Sequence, residues 1–380
     1  MQYRKFGKTG IEVSALGFGC MRLPTTDGIA LSGNIDQAEA TRMIRHAVDN
    51  GVNYIDTAYF YHDGKSETAV GNALLDGYRE RVVLATKSPV YSFEQEEDFD
   101  RVLNVQLERL QTDTIDFYLL HALSLNTWNE KVLKFGLLDK MKKAKSDGKI
   151  RFIGFSFHDD YDAFCTMIDG FDSWDFCQIQ LNYIDTNHQA GVRGLEYAAS
   201  KGLGVVIMEP LLGGKLAVPP EQVAKALSPA KKPVEWALSF LWNRPEVSLL
   251  LSGMSTMQQT VDNLTYAARS SVGMLSTEDL AMLEHCKTVF ETMALVPCTK
   301  CAYCMPCPFG LDIPKIYEAY NLTASSTMKH AVENYNSIAV KADACKRCKK
   351  CEVICPQAIK SSELMPQIVK TFAEAKIEED

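Results

Sequence analysis

Between about residues 12 and 270 the sequence repeats one rhythm: a short apolar run, a polar loop, then a segment whose apolar residues recur at helical spacing. An apolar run of this kind reads as a strand buried on both faces, and an intervening helix lets successive strands run parallel. The first unit shows the punctuation. Asp36 followed by Glu39 is the pattern of a capping box, Ala40, Ile44, Ala47 and Val48 fall on one helical face, and Gly51 ends the helix. Strands are expected at 15–21, 52–57, 82–87, 115–121, 151–157, 176–182, 204–209 and 248–252. Eight strands spaced roughly 25 to 44 residues apart within about 250 residues suit a closed (β/α)8, or TIM, barrel. An open doubly wound sheet is the alternative, but no G-x-G-x-x-G turn follows the first strand. Residues 1–13, with turns at Gly7 and Gly10, read as a short hairpin that plugs the bottom of the barrel.

The alternation stops after about Ser276. A capped helix is expected over 277–292, followed by two cysteine runs separated by helical sequence around 313–340, and the short charged ending 373–380 is expected to fray. The expected division is therefore a barrel over 1–275 and a small, mainly α-helical domain over 276–380. Of the twelve cysteines only Cys20, Cys165, Cys177 and Cys286 lie outside the two runs, in apolar or helical contexts that read as inert core. The second run, Cys345-x2-Cys348-x2-Cys351-x3-Cys355-Pro356, has the spacing of bacterial 4Fe-4S ferredoxins, and the first, Cys298-x2-Cys301-x2-Cys304-x2-Cys307-Pro308, is one residue shorter before its last cysteine. In two-cluster ferredoxins the fourth cysteine ligates the other cluster. That resemblance implies two 4Fe-4S clusters, one held by Cys298, Cys301, Cys304 and Cys355 and the other by Cys345, Cys348, Cys351 and Cys307. Pairs of C-x2-C also make four-cysteine zinc sites, but tripled spacing with a closing Cys-Pro in both runs exceeds what zinc needs.

Chemistry in a (β/α)8 barrel happens at the C-terminal ends of the strands. Three consecutive expected strands end in ionisable residues, at Asp56, Lys87 and His121, and Tyr61 follows Asp56 closely enough to fold back over it. Each has a bland reading: a helix cap, a solvated loop charge, a satisfied core histidine. A charge at the tip of each of three neighbouring apolar strands is costly unless the groups pair, so together they point to one pocket.

The segment Asp56-Thr57-Ala58-Tyr59-Phe60-Tyr61, with Gly64-Lys65-Ser66-Glu67 behind it, resembles the D-T-A-x-x-Y and G-x-S-E signature of aldo-keto reductases. Ala85-Thr86-Lys87 and Ile115-Asp116-Phe117-Tyr118-Leu119-Leu120-His121 resemble the lysine and histidine strands of that family, and the resemblance runs in order from about residue 2 to 270. It implies carbonyl reduction, or alcohol oxidation, with Tyr61 as general acid, Lys87 lowering its pKa, Asp56 holding Lys87, and His121 positioning the carbonyl oxygen. Tyr59 is a rival acid whose offset does not match the family position. The implied cofactor is NADP(H), with NAD(H) open. Ser156 and Gln178 match the residues that hold the nicotinamide amide, although Phe157 stands where the family usually has Asn, and Met208 stands where an aromatic ring often stacks on the nicotinamide. Gly253, Ser255, Gln259, Asp262 and Asn263 resemble the phosphate and adenine clamp at a helix start, with Gln259 where many relatives carry Arg.

A formal net charge of -8 argues against nucleic acid and membrane surfaces as main partners, and no stretch reaches the roughly 18 consecutive apolar residues of a membrane helix. The N-terminus, with Arg4, Lys5 and Lys8 and no apolar run behind them, does not read as a secretory signal. A cytoplasmic protein with a small carbonyl or alcohol substrate is expected. Lys341, Lys346, Arg347, Lys349 and Lys350 crowd the second cysteine run, where they offset thiolate charge, are solvated, or dock an acidic electron carrier. Hydride moves two electrons together and each cluster passes one, and no sequence feature identifies a flavin between them. The alternatives are a nicotinamide-binding regulatory or scaffold protein with structural clusters, and an electron-transfer module with a degenerate barrel. The sequence leaves oligomeric state open.

Overall fold

Asp36 caps the first long helix as its spacing predicts: its carboxylate accepts the Glu39 N–H at 3.0 Å, and the helix Gln37–Asp49 buries Ala40, Met43, Ile44, Ala47 and Val48. The reciprocal half of the box does not form, because the Glu39 carboxylate pairs with Arg42 at 2.7 Å instead. Gly51, with φ of 94°, then turns the chain into the next strand. The computed structural model describes residues 1–293, 295–325 and 328–375. Part of the expected fraying C-terminus, 376–380, lies outside the described residues.

Two short strands, β1 (Tyr3–Lys5) and β2 (Glu12–Ser14), pair antiparallel ahead of the barrel. Eight parallel strands follow: β3 (Leu16–Gly19), β4 (Tyr54–Asp56), β5 (Val83–Ser88), β6 (Ile115–Leu123), β7 (Ile150–Phe157), β8 (Phe176–Gln180), β9 (Gly204–Met208) and β10 (Leu249–Ser252). Because β10 pairs with both β9 and β3, the sheet closes into a barrel and the doubly wound alternative falls away. The hairpin seals one end. Phe6, fully buried at its turn, packs edge-on to Phe117 at 4.7 Å and against Phe176 at 5.6 Å, within a cluster that includes Tyr54, Val206 and Leu249.

The chain divides into two compact units: Met1–Pro210 with Glu235–Thr277, and Leu211–Val234 with Glu278 onward. The first contains the barrel strands. The second contains the helices Thr277–Met293 (nearly all), Ile313–Ser325, Met328–Ser337 and Ser361–Glu374, and has its own core, which includes Leu311, Ile316, Tyr317, Met365 and Ile368. Leu211–Val234, which follows β9 in sequence, groups with the cysteine-bearing unit and not with the barrel.

Candidate functional site

The strand ends bring the predicted charges together. Lys87, at 0% exposure, places its Nζ 2.6 Å from the Asp56 carboxylate and 2.8 Å from the Thr57 carbonyl oxygen, so the buried cation is paired and bonded as its desolvation requires. The same Nζ lies 4.9 Å from the centre of the Tyr61 ring, and the His121 ring meets that ring edge-on at 6.1 Å. Tyr59 is placed elsewhere: the Arg109 guanidinium lies 4.4 Å over its ring, and Phe60 meets it edge-on. Of the two tyrosines, only Tyr61 adjoins the lysine and histidine among the contacts described.

The loop that carries Tyr61 is braced from behind by the Gly64–Glu67 motif. The Ser66 hydroxyl lies 2.8 Å from that of Thr57 and donates to the Cys20 carbonyl oxygen at 3.0 Å. The fully buried Glu67 carboxylate accepts from the Thr86 hydroxyl and the Gln106 amide, both at 2.6 Å, and from Arg109 at 3.2 Å. Gln106 also donates to the Lys87 carbonyl oxygen at 3.1 Å, which ties the brace to the strand carrying the cation. The sequence reading quotes Glu67 but gives Gln106 and Arg109 no role. Their signal is helical spacing alone, three residues apart on Asp98–Leu110, whose buried residues include Gln106.

Burial sets the protonation states. It pushes the Tyr61 phenol well above its usual value, and the Asp56 charge pushes in the same direction. The phenol therefore keeps its proton until a reaction draws it off, with the Lys87 ammonium beside the ring. Burial likewise raises Asp56 against the opposing pull of Lys87. His121 is held well below the ordinary histidine range by burial and then by the Lys87 charge, so its ring is neutral near pH 7 and carries one N–H. Just past His121 the β6–β7 register shifts, Ala122 takes a φ of 56°, and its N–H donates to the Ser156 hydroxyl at 2.8 Å. Tyr91, absent from the sequence reading, faces His121 with 5.8 Å between rings.

Ser156 and Gln178 lie opposite each other on β7 and β8. Both are buried, the Gln178 Nε2 lies 3.5 Å from the Met208 sulfur, and the Gln178 Oε1 has no hydrogen-bond partner. A buried orphan acceptor beside a hydroxyl fits a primary carboxamide, which offers an N–H to the first and an oxygen to the second. Phe157 points into the core against Phe164 at 5.0 Å. At the end of β10, Thr256 caps the helix Met257–Ala268. The expected clamp residues engage one another: the Gln259 side chain accepts from the Ser255 N–H at 2.8 Å, Asp262 from Gln258 at 2.9 Å, and Asn263 donates to the Ser252 hydroxyl at 3.0 Å. Arg22 lies alongside, with its carbonyl oxygen bonded to the Ser255 hydroxyl at 2.8 Å, its aliphatic stem against Gly253, and a buried Nη2 without a partner. Sequence pattern gave no sign of that arginine.

In the second unit the eight cysteines line two cavities. One is bordered by Cys298, Cys301, Cys304 and Cys355, the other by Cys307, Cys345 and Cys348, and Cys351 lies on the wall of both. The two spaces are alike in size, as sites for like groups should be. Burial first, and then the neighbouring Cys301, Cys298 and Cys355, push Cys304 up to about 12, as thiols crowded around one cavity should. Among the described residues no three His, Cys, Asp or Glu side chains are placed to hold a single metal ion. The cysteines around each cavity, five at the first and four at the second, are enough to ligate an iron-sulfur cluster.

Comparison with known proteins accords with both halves. A model of the aldo/keto reductase family matches residues 15–288, and one of a 4Fe-4S dicluster domain matches residues 297–360. An L-galactose dehydrogenase of Arabidopsis thaliana is 29% identical over 298 residues, 72% of this chain and 91% of that protein. The aldo-keto reductase YhdN of Bacillus subtilis is 33% identical over 165 residues, 41% of this chain and 47% of that protein. Among solved structures, the holo form of an aldo-keto reductase from Bacillus halodurans superimposes with a TM-score of 0.62 at 24% identity, over 75% of this chain and 96% of that one, a likeness of fold.

Proposed function

Because this chain belongs to the aldo/keto reductase family, an oxidoreductase barrel fused to a 4Fe-4S dicluster domain, we propose that it is an NADP(H)-dependent enzyme that reduces a small carbonyl, or oxidises the alcohol, with Tyr61 as general acid. The carrying observation is the approach of the Lys87 ammonium to the Tyr61 ring at 4.9 Å while Asp56 holds that ammonium at 2.6 Å. A bound reduced nicotinamide supplies the hydride to the carbonyl carbon. Tyr61 delivers the proton to the carbonyl oxygen, which balances the reduction to an alcohol, and Lys87 stabilises the phenolate left behind. The neutral His121 ring donates its N–H to the same oxygen, fixing the carbonyl between the two rings. Ser156 and Gln178 hold the carboxamide. The unpartnered Arg22 nitrogen beside Gly253 supports binding of a cofactor phosphate, the cation that Gln259 does not provide. Cys298, Cys301 and Cys304 with Cys355, and Cys345, Cys348 and Cys351 with Cys307, would hold two 4Fe-4S clusters, which would supply one-electron transfer in the second unit.

Anaerobic turnover with NADPH and a panel of aldehydes tests the catalytic reading; the similarity to an L-galactose dehydrogenase makes aldoses natural members of the panel. Tyr61→Phe is expected to lower kcat by about 10²-fold or more while NADPH binding is retained. Turnover unchanged by that substitution would remove Tyr61 from the chemistry. Iron, sulfide and zinc analysis of the same preparation tests the clusters, and zinc in place of iron sinks that reading.

A further inference from the structure

The two cysteine runs fold alike. Cys298 and Cys345 each accept the N–H of the residue two further on, Lys300 and Arg347, at 3.4 Å. Those residues, and Ala302 and Lys349 after them, all take positive φ. The surroundings are unlike. In the first run Thr299 is buried, packed so closely on the backbone of Gly213 that a Cβ there would come within 2.2 Å of the Thr299 carbonyl oxygen. Its counterpart Lys346 is exposed, and so are Arg347, Cys348, Lys349 and Lys350. Cys348 is the one exposed cysteine of the eight. Among the described residues none of these four cations makes an ion pair, and Lys346, Arg347 and Lys349 border the second cluster cavity itself.

Cations that only offset thiolate charge would account for the lysines. They would not account for Val353 and Ile354, 83% and 50% exposed a few residues further along the same run. Exposed apolar residues close in sequence to exposed cations are the composition of a docking face. On a chain of net charge -8 it is also the place to which a negatively charged protein would be steered. We propose that this face docks an acidic one-electron carrier protein at the second cluster. The inference rests on the cluster reading above. The exchange is one electron between carrier and cluster, one oxidised as the other is reduced, with no bond made or broken.

Stopped-flow reduction of the full-length, iron-loaded protein tests it, with a reduced acidic ferredoxin as carrier and reduced methyl viologen, a small cation, as the reductant that needs no docking. The triple variant Lys346→Glu, Lys349→Glu, Lys350→Glu is expected to lose about tenfold or more of the ferredoxin rate and most of its salt dependence, with no fall in the viologen rate. Lys350→Glu and Val353→Asp lie outside the cavity lining, so they carry the test if the triple variant fails to load iron. Carbodiimide cross-linking reads docking without electron transfer and should join these lysines to carboxylates of the ferredoxin. Equal rates in variant and wild type, or an equal loss with both reductants, overturn the docking face. So does binding of these residues to phosphatidylglycerol vesicles or to a second copy of this chain in place of the ferredoxin. Absence of iron and of a visible cluster band in the wild type would instead overturn the cluster reading, a separate failure.

Discussion

Lys87 has no exposed surface and its partner Asp56 is 3% exposed, so the two groups depend on each other. Lys87→Met leaves an uncompensated carboxyl and is expected to cost about 3–5 kcal/mol in urea denaturation, part of it recovered when Asp56→Asn is added. A second residue-scale prediction concerns His158, whose pKa burial lowers from 6.5 to about 4. Between those values the unfolded chain binds a proton that the native chain refuses. Stability from this group is therefore full above pH 6.5, falls as pH drops toward 4, and levels below. The limiting slope is about 1.4 kcal/mol per pH unit. Denaturation midpoints measured across pH 4–7 should show a flatter fall in His158→Gln. The strand-tip residues Asp56, Lys87 and His121 were legible in sequence because an ionisable group ending an apolar run is conspicuous. Arg22 was not, because its orphaned nitrogen depends on what the fold packs around it.

The barrel strands are legible for a related reason: strands covered on both faces must be apolar throughout, and all eight fall within a few residues of their expected places. The N-terminal hairpin owes its role to one side chain. Phe6 is enclosed by Phe117, Phe176 and Tyr54, so Phe6→Ala is expected to destabilise the barrel by about 3–5 kcal/mol in thermal or urea unfolding, with the hydride site at the opposite strand ends intact. Ser361–Glu374 stands outside the sequence expectations, since Pro366 lies within it and proline ordinarily argues against a helix. Packing of Met365 and Ile368 into the core of the second unit offsets that cost.

The division into two units, each with its own hydrophobic core, predicts two unfolding transitions in the whole molecule. Anaerobic chelation of iron should lower the transition of the cysteine-bearing unit and leave that of the barrel in place, read by calorimetry before and after iron removal. Cys298→Ser and Cys345→Ser should each reduce bound iron by about half if the ligands divide as proposed, whereas loss of all iron in either variant would show one interdependent site. Cysteine spacing determined the kind of group this unit holds, because thiolate ligation is a local property of the chain, and apolar periodicity determined the barrel, because burial on two faces is written into every strand. Only the tertiary structure decided that Cys351 borders both cavities, that Leu211–Val234 groups with the second unit, and that burial holds the Tyr61 phenol well above its usual value while Asp56 pairs with Lys87. Each of these depends on distances between residues far apart in sequence, which no local pattern encodes.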